Sequence, residues 1–268
     1  MSGRVVLVTG CSSGGIGYAL CERFAAEGCR VYATARRLEA MAGLDAHPQV
    51  SLQTLDVTVE EDVHRVVDLI VAEAGQIDIV VNNGAVQPLD NVRATFDANT
   101  HGALSVAQAA FPHMAARCSG LVVNIGSIVA DIAVPWNGLY SATKAAMRAM
   151  TDILYMELKP FNINVMYIAP GSVRSNIASN QASRFSLREG SLYTTFLPNI
   201  IQRMNASQGA NSLPADKFAR QVVARALQKK PPRYLTLGGN STTFKVFSWL
   251  PKAWVLWALW RLYSRRTN

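Results

Sequence analysis

The stretch "LYSATKAAM" places Tyr140 and Lys144 four residues apart, and on a helix that spacing brings both side chains to one face. A free tyrosine titrates near pKa ~10, too high to give and take a proton at neutral pH. A neighbouring ammonium, and any further positive charge held beside it, favour the phenolate and lower that value. Each pH unit so gained corresponds to about 1.4 kcal/mol, and the pair is expected to supply a usable general acid/base. A second stretch, "VTGCSSGGIG" from Val8 to Gly17, sets Gly10, Gly14, Gly15 and Gly17 between an apolar run and a helical pattern. That is the context of a turn whose following helix directs free amides and its positive dipole end at a pyrophosphate. The turn is one residue longer than the usual dinucleotide fingerprint.

An acid that binds the adenosine ribose is expected about 20 residues further on, but "VYATARRLEA" offers Arg36 and Arg37 there. Two guanidiniums suit a 2′-phosphate, which favours NADP(H) over NAD(H); the same pair would also open a solvated helix. Asp56 in "LDVT" is placed to accept a hydrogen bond from an adenine amino group, as a plain surface-turn aspartate would also be.

These residues need a frame. "RVVLVTG", "IGYALCERFAAEG", "RVYATAR", "VEEDVHRVVDLIVAEAG" and "IDIVVNNG" alternate β-branched runs with helix-period segments, and the rhythm continues through "GLVVNIGSI", the Tyr140 helix and "INVMYIAPG". The pattern predicts an α/β fold, a single-domain doubly wound parallel sheet of Rossmann type over residues 1–240, with about seven strands if "RYLTLGG" is counted. Between 175 and 213 the rhythm stops in a stretch rich in Ser, Asn and Gln, which is expected to form a substrate lid. "SLPADKFARQVV" then returns to helical spacing, with Ser212 and Pro214 as capping candidates.

The chain has 268 residues, 50% of them hydrophobic and 16% charged, enough for a large core. The net charge of +8 gathers partly in the tail, where Lys245, Lys252, Arg261, Arg265 and Arg266 have no acid among them. Net charge without a recognisable module excludes nucleic acid as the expected partner. Cys11, Cys21, Cys29 and Cys118 lack a regular spacing and read as reduced, small apolar residues. His47, His64, His101 and His113 lack metal-ligand spacing, so no metal is expected, and Ser127 lacks the elbow motif of a serine hydrolase.

Taken together, the TG…GxG turn, "NNG", the Asn in "DANTHG", the Ser in "NIGSI", Tyr-x-x-x-Lys thirteen residues later and "PGSV" resemble the short-chain dehydrogenase/reductase family, from Arg4 to about Val173. The resemblance implies that Tyr140 protonates a substrate carbonyl, that Lys144 lowers its pKa and binds the nicotinamide ribose, and that Ser127 stabilises the developing alkoxide. It implies that Asn99 holds a water linking Lys144 to solvent, that Asn83 lies beside the adenosine ribose, and that Pro170, Gly171 and Val173 shape the nicotinamide pocket. Ser12, Ser13, Ile16, Val57, Gly84 and Ser175 complete the implied cofactor set. "NNGA" inverts the family's usual Asn-Asn-Ala-Gly, and Ser175 stands where a Thr is common. The lengthened turn, "YMELKPFNINV" and "LPADKFARQVV" resemble a subgroup of NADPH-dependent 1-acyl-dihydroxyacetone-phosphate reductases. A ketoreductase acting on a steroid, terpenoid or other secondary-metabolite carbonyl would share nearly every residue named. A non-catalytic, membrane-associated NADP(H)-binding protein would not need Asn99, Ser127, Tyr140 and Lys144 together.

In the loop segment, Arg184, Arg188 and Arg203 are expected as solvated surface, with a substrate phosphate as the alternative. Residues 241–268 form a basic, Trp-rich tail with Trp249, Trp254, Trp257 and Trp260 on an expected helix that Pro251 and Lys252 interrupt. It suits an interfacial helix on a membrane or lipid-droplet surface, or a helix folded over the substrate mouth or an oligomer contact. "RVVLVTG" reads as the first strand with three residues before it, so no secretory signal is expected. The expected location is the cytosolic face of the endoplasmic reticulum or a lipid droplet, otherwise the cytoplasm. By analogy with the family, a homodimer or homotetramer is expected.

Overall fold

Val5–Val8 is buried at every position, without polar alternation, as a parallel strand covered on both faces must be. A computed structural model of the protein describes residues 3–84, 91–176 and 185–264. In chain order the sheet strands are β1 (Val5–Val8), β2 (Arg30–Ala35), β3 (Val50–Thr54), β4 (Ile79–Asn82), β5 (Gly120–Ile125), β6 (Ile163–Pro170) and, after two short strands, β9 (Tyr234–Leu237). They form one seven-stranded sheet in the order β3-β2-β1-β4-β5-β6-β9, with every pairing parallel. Neighbouring residues point to opposite faces. Val6 and Val8 pack with Leu20 and Phe24 of α1 (Ile16–Ala26) and Phe218 and Val222 of the later helix Ala215–Ala226. Val5 and Leu7 pack on the other side with Val66 and Ile70 of α2 (Glu60–Ala74) and Val106 and Ala110 of α4 (Gly102–Ala116).

The order reverses between β1 and β4. At such a switch point the connections leave in opposite directions and open a crevice beyond the carboxyl ends of the strands. The loops after β1, β2, β3, β4, β5 and β6 carry the candidate residues to that one edge. A short helix α3 (Val92–Phe96), capped where Asn91 Oδ1 accepts from the Ala94 amide at 3.0 Å, runs through a π turn at Asp97–His101 into α4. The catalytic candidates Tyr140 and Lys144 lie on α5 (Gly138–Glu157).

Beyond β6 the structure departs from the sequence reading in three places. The segment 175–213 is not purely irregular: α6 (Leu197–Met204) lies within it, with a proline in its first turn where the missing amide costs no hydrogen bond. The segment leaves and returns through the paired strands β7 (Val173–Arg174) and β8 (Leu213–Pro214), which fix both of its ends. Ser212 caps nothing; Pro214 is the N-cap of α7 (Ala215–Ala226) and Ser212 is buried before it. The tail forms two helices, α8 (Ser241–Phe247) and α9 (Lys252–Tyr263), broken at Pro251. On α9, Val255 and Leu259 are buried with Ile128, Val129, Val134 and Met147, so the helix covers the Tyr140 end of the sheet edge. Arg265 and Arg266 lie outside the described residues, as does Ala85 of "NNGA". Among the described residues, no helix is long and apolar enough to cross a membrane.

Candidate active site

The glycine turn after β1 is held on three sides. Asn83 at the end of β4 donates its amide N–H to Thr9 Oγ1 (3.0 Å) and its side-chain Nδ2 to the carbonyls of Thr9 (3.2 Å) and Gly10 (3.0 Å). Gly17 is required here, since a Cβ would lie 2.5 Å from both Gly10 O and Asn83 Nδ2. The turn's extra length is absorbed outward: Ser13 N–H donates to Ala40 O at 2.7 Å, while Ser13 O and Gly14 O accept from Asn176 Nδ2 (3.2 Å) and N–H (3.1 Å). Gly15 caps α1, whose first residue is Ile16, without a side-chain cap. Ser12 O accepts the Gly15 amide at 3.0 Å. A helix start that carries no acid in its first turn and lies at the switch point fits a dinucleotide pyrophosphate.

Arg36 and Arg37 follow β2 directly and are both exposed. Asp56 Oδ1 accepts from the Thr58 amide (3.0 Å) and hydroxyl (2.7 Å), an Asx turn that fixes the carboxylate after β3. Val57 packs against Gly102 at the head of α4. After β6, Gly171 N–H donates to Leu237 O (2.7 Å), Val173 pairs with Leu213, and Ser175 O accepts from Gln208 Nε2 (2.8 Å). Pro170 ends β6 itself.

At the other end of the edge, Ser127 follows β5 and its hydroxyl stands beside the Tyr140 phenol, where it favours the phenolate. Val129 N–H donates to Ser127 Oγ at 3.3 Å. Lys144 is buried, donating to Ile125 O (2.9 Å) and Gly84 O (3.3 Å), and its Nζ stands 5.8 Å from the Tyr140 ring centre. Asn99 sits buried in the π turn and donates to Thr143 Oγ1 at 3.2 Å, one turn from Tyr140 on α5. Insertions of this kind in a helix are frequent at functional sites. The four catalytic candidates therefore converge.

Their electrostatics correct one expectation. The protein alone does not lower Tyr140: burial of its hydroxyl raises the phenol above its ordinary value, opposed by the neighbouring Ser127 hydroxyl and, more weakly, by the charge of Arg203. Burial pulls Lys144 down to about 7, because desolvation disfavours its ammonium.

With the geometry in place, comparison with known proteins is decisive. Residues 4–184 match the family described as short chain dehydrogenase. The chain belongs to the short-chain dehydrogenase family. Short-chain dehydrogenase PC-15 of Penicillium crustosum is 36% identical over 239 residues, covering 86% of this chain and 87% of the relative. An NADPH-dependent 1-acyldihydroxyacetone phosphate reductase of Schizosaccharomyces pombe is 33% identical, covering 92% and 90%. The crystal structure of a short-chain dehydrogenase from Streptomyces avermitilis has a TM-score of 0.79 at 30% identity, covering 98% of each chain. The protein is thus an oxidoreductase.

Three residues at this short-chain dehydrogenase site escaped the sequence reading. Tyr167 of β6 receives the Ser127 amide on its hydroxyl (3.3 Å) and donates to Ser127 O (3.4 Å). Its ring fills the space beside Gly126, where a Cβ would lie 2.0 Å from the hydroxyl. Trp136, just before α5, holds the left-handed φ of 65°, a strain of about 1–3 kcal/mol for such a residue. Its Nε1 donates to Tyr263 O at 3.0 Å, latching the end of α9 to the start of the catalytic helix. Asn176 closes over the glycine turn. Arg188 is exposed as expected, Arg184 lies outside the described residues, and Arg203 is half-buried, with its Nε sealed from solvent.

Proposed function

We propose that this protein is an NADPH-dependent reductase that transfers hydride to the ketone of a lipid-like substrate, 1-acyl-dihydroxyacetone phosphate in first place. The observation that carries the reading is the gathering of Ser127 and Tyr140 beside buried Lys144, whose Nζ stands 5.8 Å from the Tyr140 ring centre, across the sheet edge from Arg36 and Arg37. The reductase of Schizosaccharomyces pombe, similar over 92% of the chain, supports the cofactor and the substrate class.

When bound, the dinucleotide supplies the hydride. Gly10, Ser12, Ser13, Gly15, Ile16 and Gly17 line its pyrophosphate, and Arg36 and Arg37 pair with its 2′-phosphate. Asp56, Val57, Asn83 and Gly84 flank the adenosine, while Pro170, Gly171, Val173 and Ser175 flank the nicotinamide. Ser127 donates to the substrate carbonyl and Tyr140 releases its proton to the forming alkoxide. Lys144 holds the ribose and, once it regains charge there, favours the phenolate that Tyr140 leaves behind. Asn99 holds the water through which that proton is replaced.

Residues 175–213 act as the substrate lid and 241–268 as its outer cover. Trp249 is 83% exposed and Trp254 72%, flanked by Lys245, Lys252 and Arg261, a composition that suits contact with an anionic lipid surface. Flotation with anionic vesicles, lost in Trp254→Ser/Trp257→Ser, tests that contact. Exposed Ile153 and Met156 on α5 suit a subunit contact in a dimer or tetramer, which the solution mass would show. A second reading, reduction of a flat polycyclic ketone, draws on the rings of Trp136, Tyr193, Phe196 and Trp260, whose centres lie 5.2–6.0 Å apart where they meet. NADPH oxidation with micellar acyl-dihydroxyacetone phosphate against a panel of steroid and terpenoid ketones decides between them. Turnover confined to the panel would remove the phosphate lipid from the assignment.

A further inference from the structure

Tyr140, Lys144 and Arg148 follow one another at four-residue intervals on α5 and share one face of the helix. Arg148, half-buried, reaches the loop that carries Ser127. That loop runs from Ser127 through the turn Ile128–Ala130 to Asp131. Tyr167 of β6 holds its first residue, with the phenol oxygen 3.3 Å from the Ser127 amide and 3.4 Å from the Ser127 carbonyl. Arg148 holds its last residue, where Nη1 donates to both Asp131 carboxylate oxygens, at 2.7 and 2.9 Å.

The two holds are joined to each other. The guanidinium carbon of Arg148 lies 5.1 Å from the Tyr167 ring centre, within the range of cation–π attraction. Ser127, Asp131, Arg148 and Tyr167 therefore form a closed circuit of contacts. Behind it, Arg148 meets the ring of Tyr234 on β9 at 4.6 Å and Asp152 one turn along α5, whose Oδ2 is 3.6 Å from Nε. Asp152 in turn accepts from Arg233 at 3.1 Å and from the Tyr234 hydroxyl. An ion pair as exposed as Arg148–Asp131 contributes little to stability by itself. What it fixes here is a separation, between the loop bearing Ser127 and the helix bearing Tyr140. A misplacement of about 1 Å between reacting groups is enough to slow a reaction by about 100-fold.

We propose that Arg148 is a positioning residue: through Asp131 and the Tyr167 ring it sets where the Ser127 hydroxyl stands relative to Tyr140. This role rests on reading Ser127 and Tyr140 as the groups that meet the substrate carbonyl. Arg148 itself touches neither of them and acts only through its two partners.

The test combines kinetics with a readout that needs no substrate. Wild type, Arg148→Met, Arg148→Lys, Asp131→Asn, Tyr167→Phe and the double variant Arg148→Met/Tyr167→Phe are compared in NADPH oxidation. The ketone is acyl-dihydroxyacetone phosphate or, where the wild type leaves it unreduced, the fastest of the steroid and terpenoid panel. Amide hydrogen exchange of residues 126–132 is followed in the NADP+-loaded proteins. Arg148→Met and Asp131→Asn are each expected to lower kcat about tenfold, with KM for NADPH within about twofold of wild type. Both are expected to speed exchange in 126–132 and to leave the glycine turn, residues 9–17, unchanged. Arg148→Lys, which keeps the charge toward Asp131 but not the flat face toward Tyr167, is expected to recover part of the loss. The double variant is expected to be no slower than the slower single variant, because both changes open one circuit. Wild-type kcat and loop exchange in Arg148→Met and Asp131→Asn overturn the proposal, as does a double variant whose loss is the product of the two single losses. Should Tyr140→Phe keep its turnover, the reading of the site falls instead, and loop exchange alone decides whether Arg148 holds Ser127 in place.

Discussion

Lys144 carries a pH signature that the fold imposes. Its pKa falls from about 10.4 in an unfolded chain to about 7 in the cofactor-free protein, because burial disfavours the ammonium. Below pH 7 both states hold the proton and the burial penalty stands in full. Between about 7 and 10 the unfolded chain binds more protons, so stability rises with pH by up to about 1.4 kcal/mol per pH unit. Urea unfolding of the cofactor-free protein is expected to show that climb, and Lys144→Met to flatten it over the same window. Tyr167 makes a different demand. Its hydroxyl holds both polar atoms of the Ser127 backbone, so Tyr167→Phe is expected to cost about 1 kcal/mol of stability and to lower kcat severalfold with KM little changed. Steady-state kinetics beside urea titration checks both, and an unchanged kcat would remove Tyr167 from the positioning of Ser127. Tyr140 and Lys144 were legible in the sequence because helical periodicity alone puts them together. Tyr167 and Trp136 were not, since each acts across a contact between elements distant in the chain: β6 with the loop after β5, and the start of α5 with α9.

At the scale of elements, α9 is the part whose removal should be felt most widely. Leu259 is 2% exposed and packs in the cluster that contains Val129, Val134 and Met147, directly behind Ser127 and Tyr140. Leu259→Ala is expected to destabilise the protein by about 2–5 kcal/mol, and to lower activity at temperatures where the fold remains intact. Thermal unfolding with activity measured in parallel is the check; loss of activity without loss of stability would mean that α9 only roofs the site. The sheet strands were readable because unbroken β-branched runs fit only a strand buried on both faces. The helix α6 was not readable, since Pro198 and the polar residues around it look like loop, and it gains its place by burying Ile200 rather than from propensity. The break of the tail into α8 and α9 was visible at Pro251, but the packing of Val255 and Leu259 was not: α9 is apolar on most of its circumference, and periodicity does not tell the buried face from the exposed one.

For the molecule as a whole, the fold arranges one chemical sequence along one edge. Loops from six strands converge at the switch point, with guanidiniums at one end and the Ser127, Tyr140, Lys144 and Asn99 group at the other. The second end is roofed by helices that the sheet itself does not require. In the proposed function, Tyr140 is the group that gives its proton to the substrate. The direct measurement is NADPH oxidation by wild type and Tyr140→Phe on the same ketone, with NADPH binding followed separately by fluorescence. The account predicts unchanged nucleotide binding and a fall in turnover of about 100- to 10,000-fold, the range for loss of a positioned general acid. Turnover by Tyr140→Phe close to that of the wild type would contradict it.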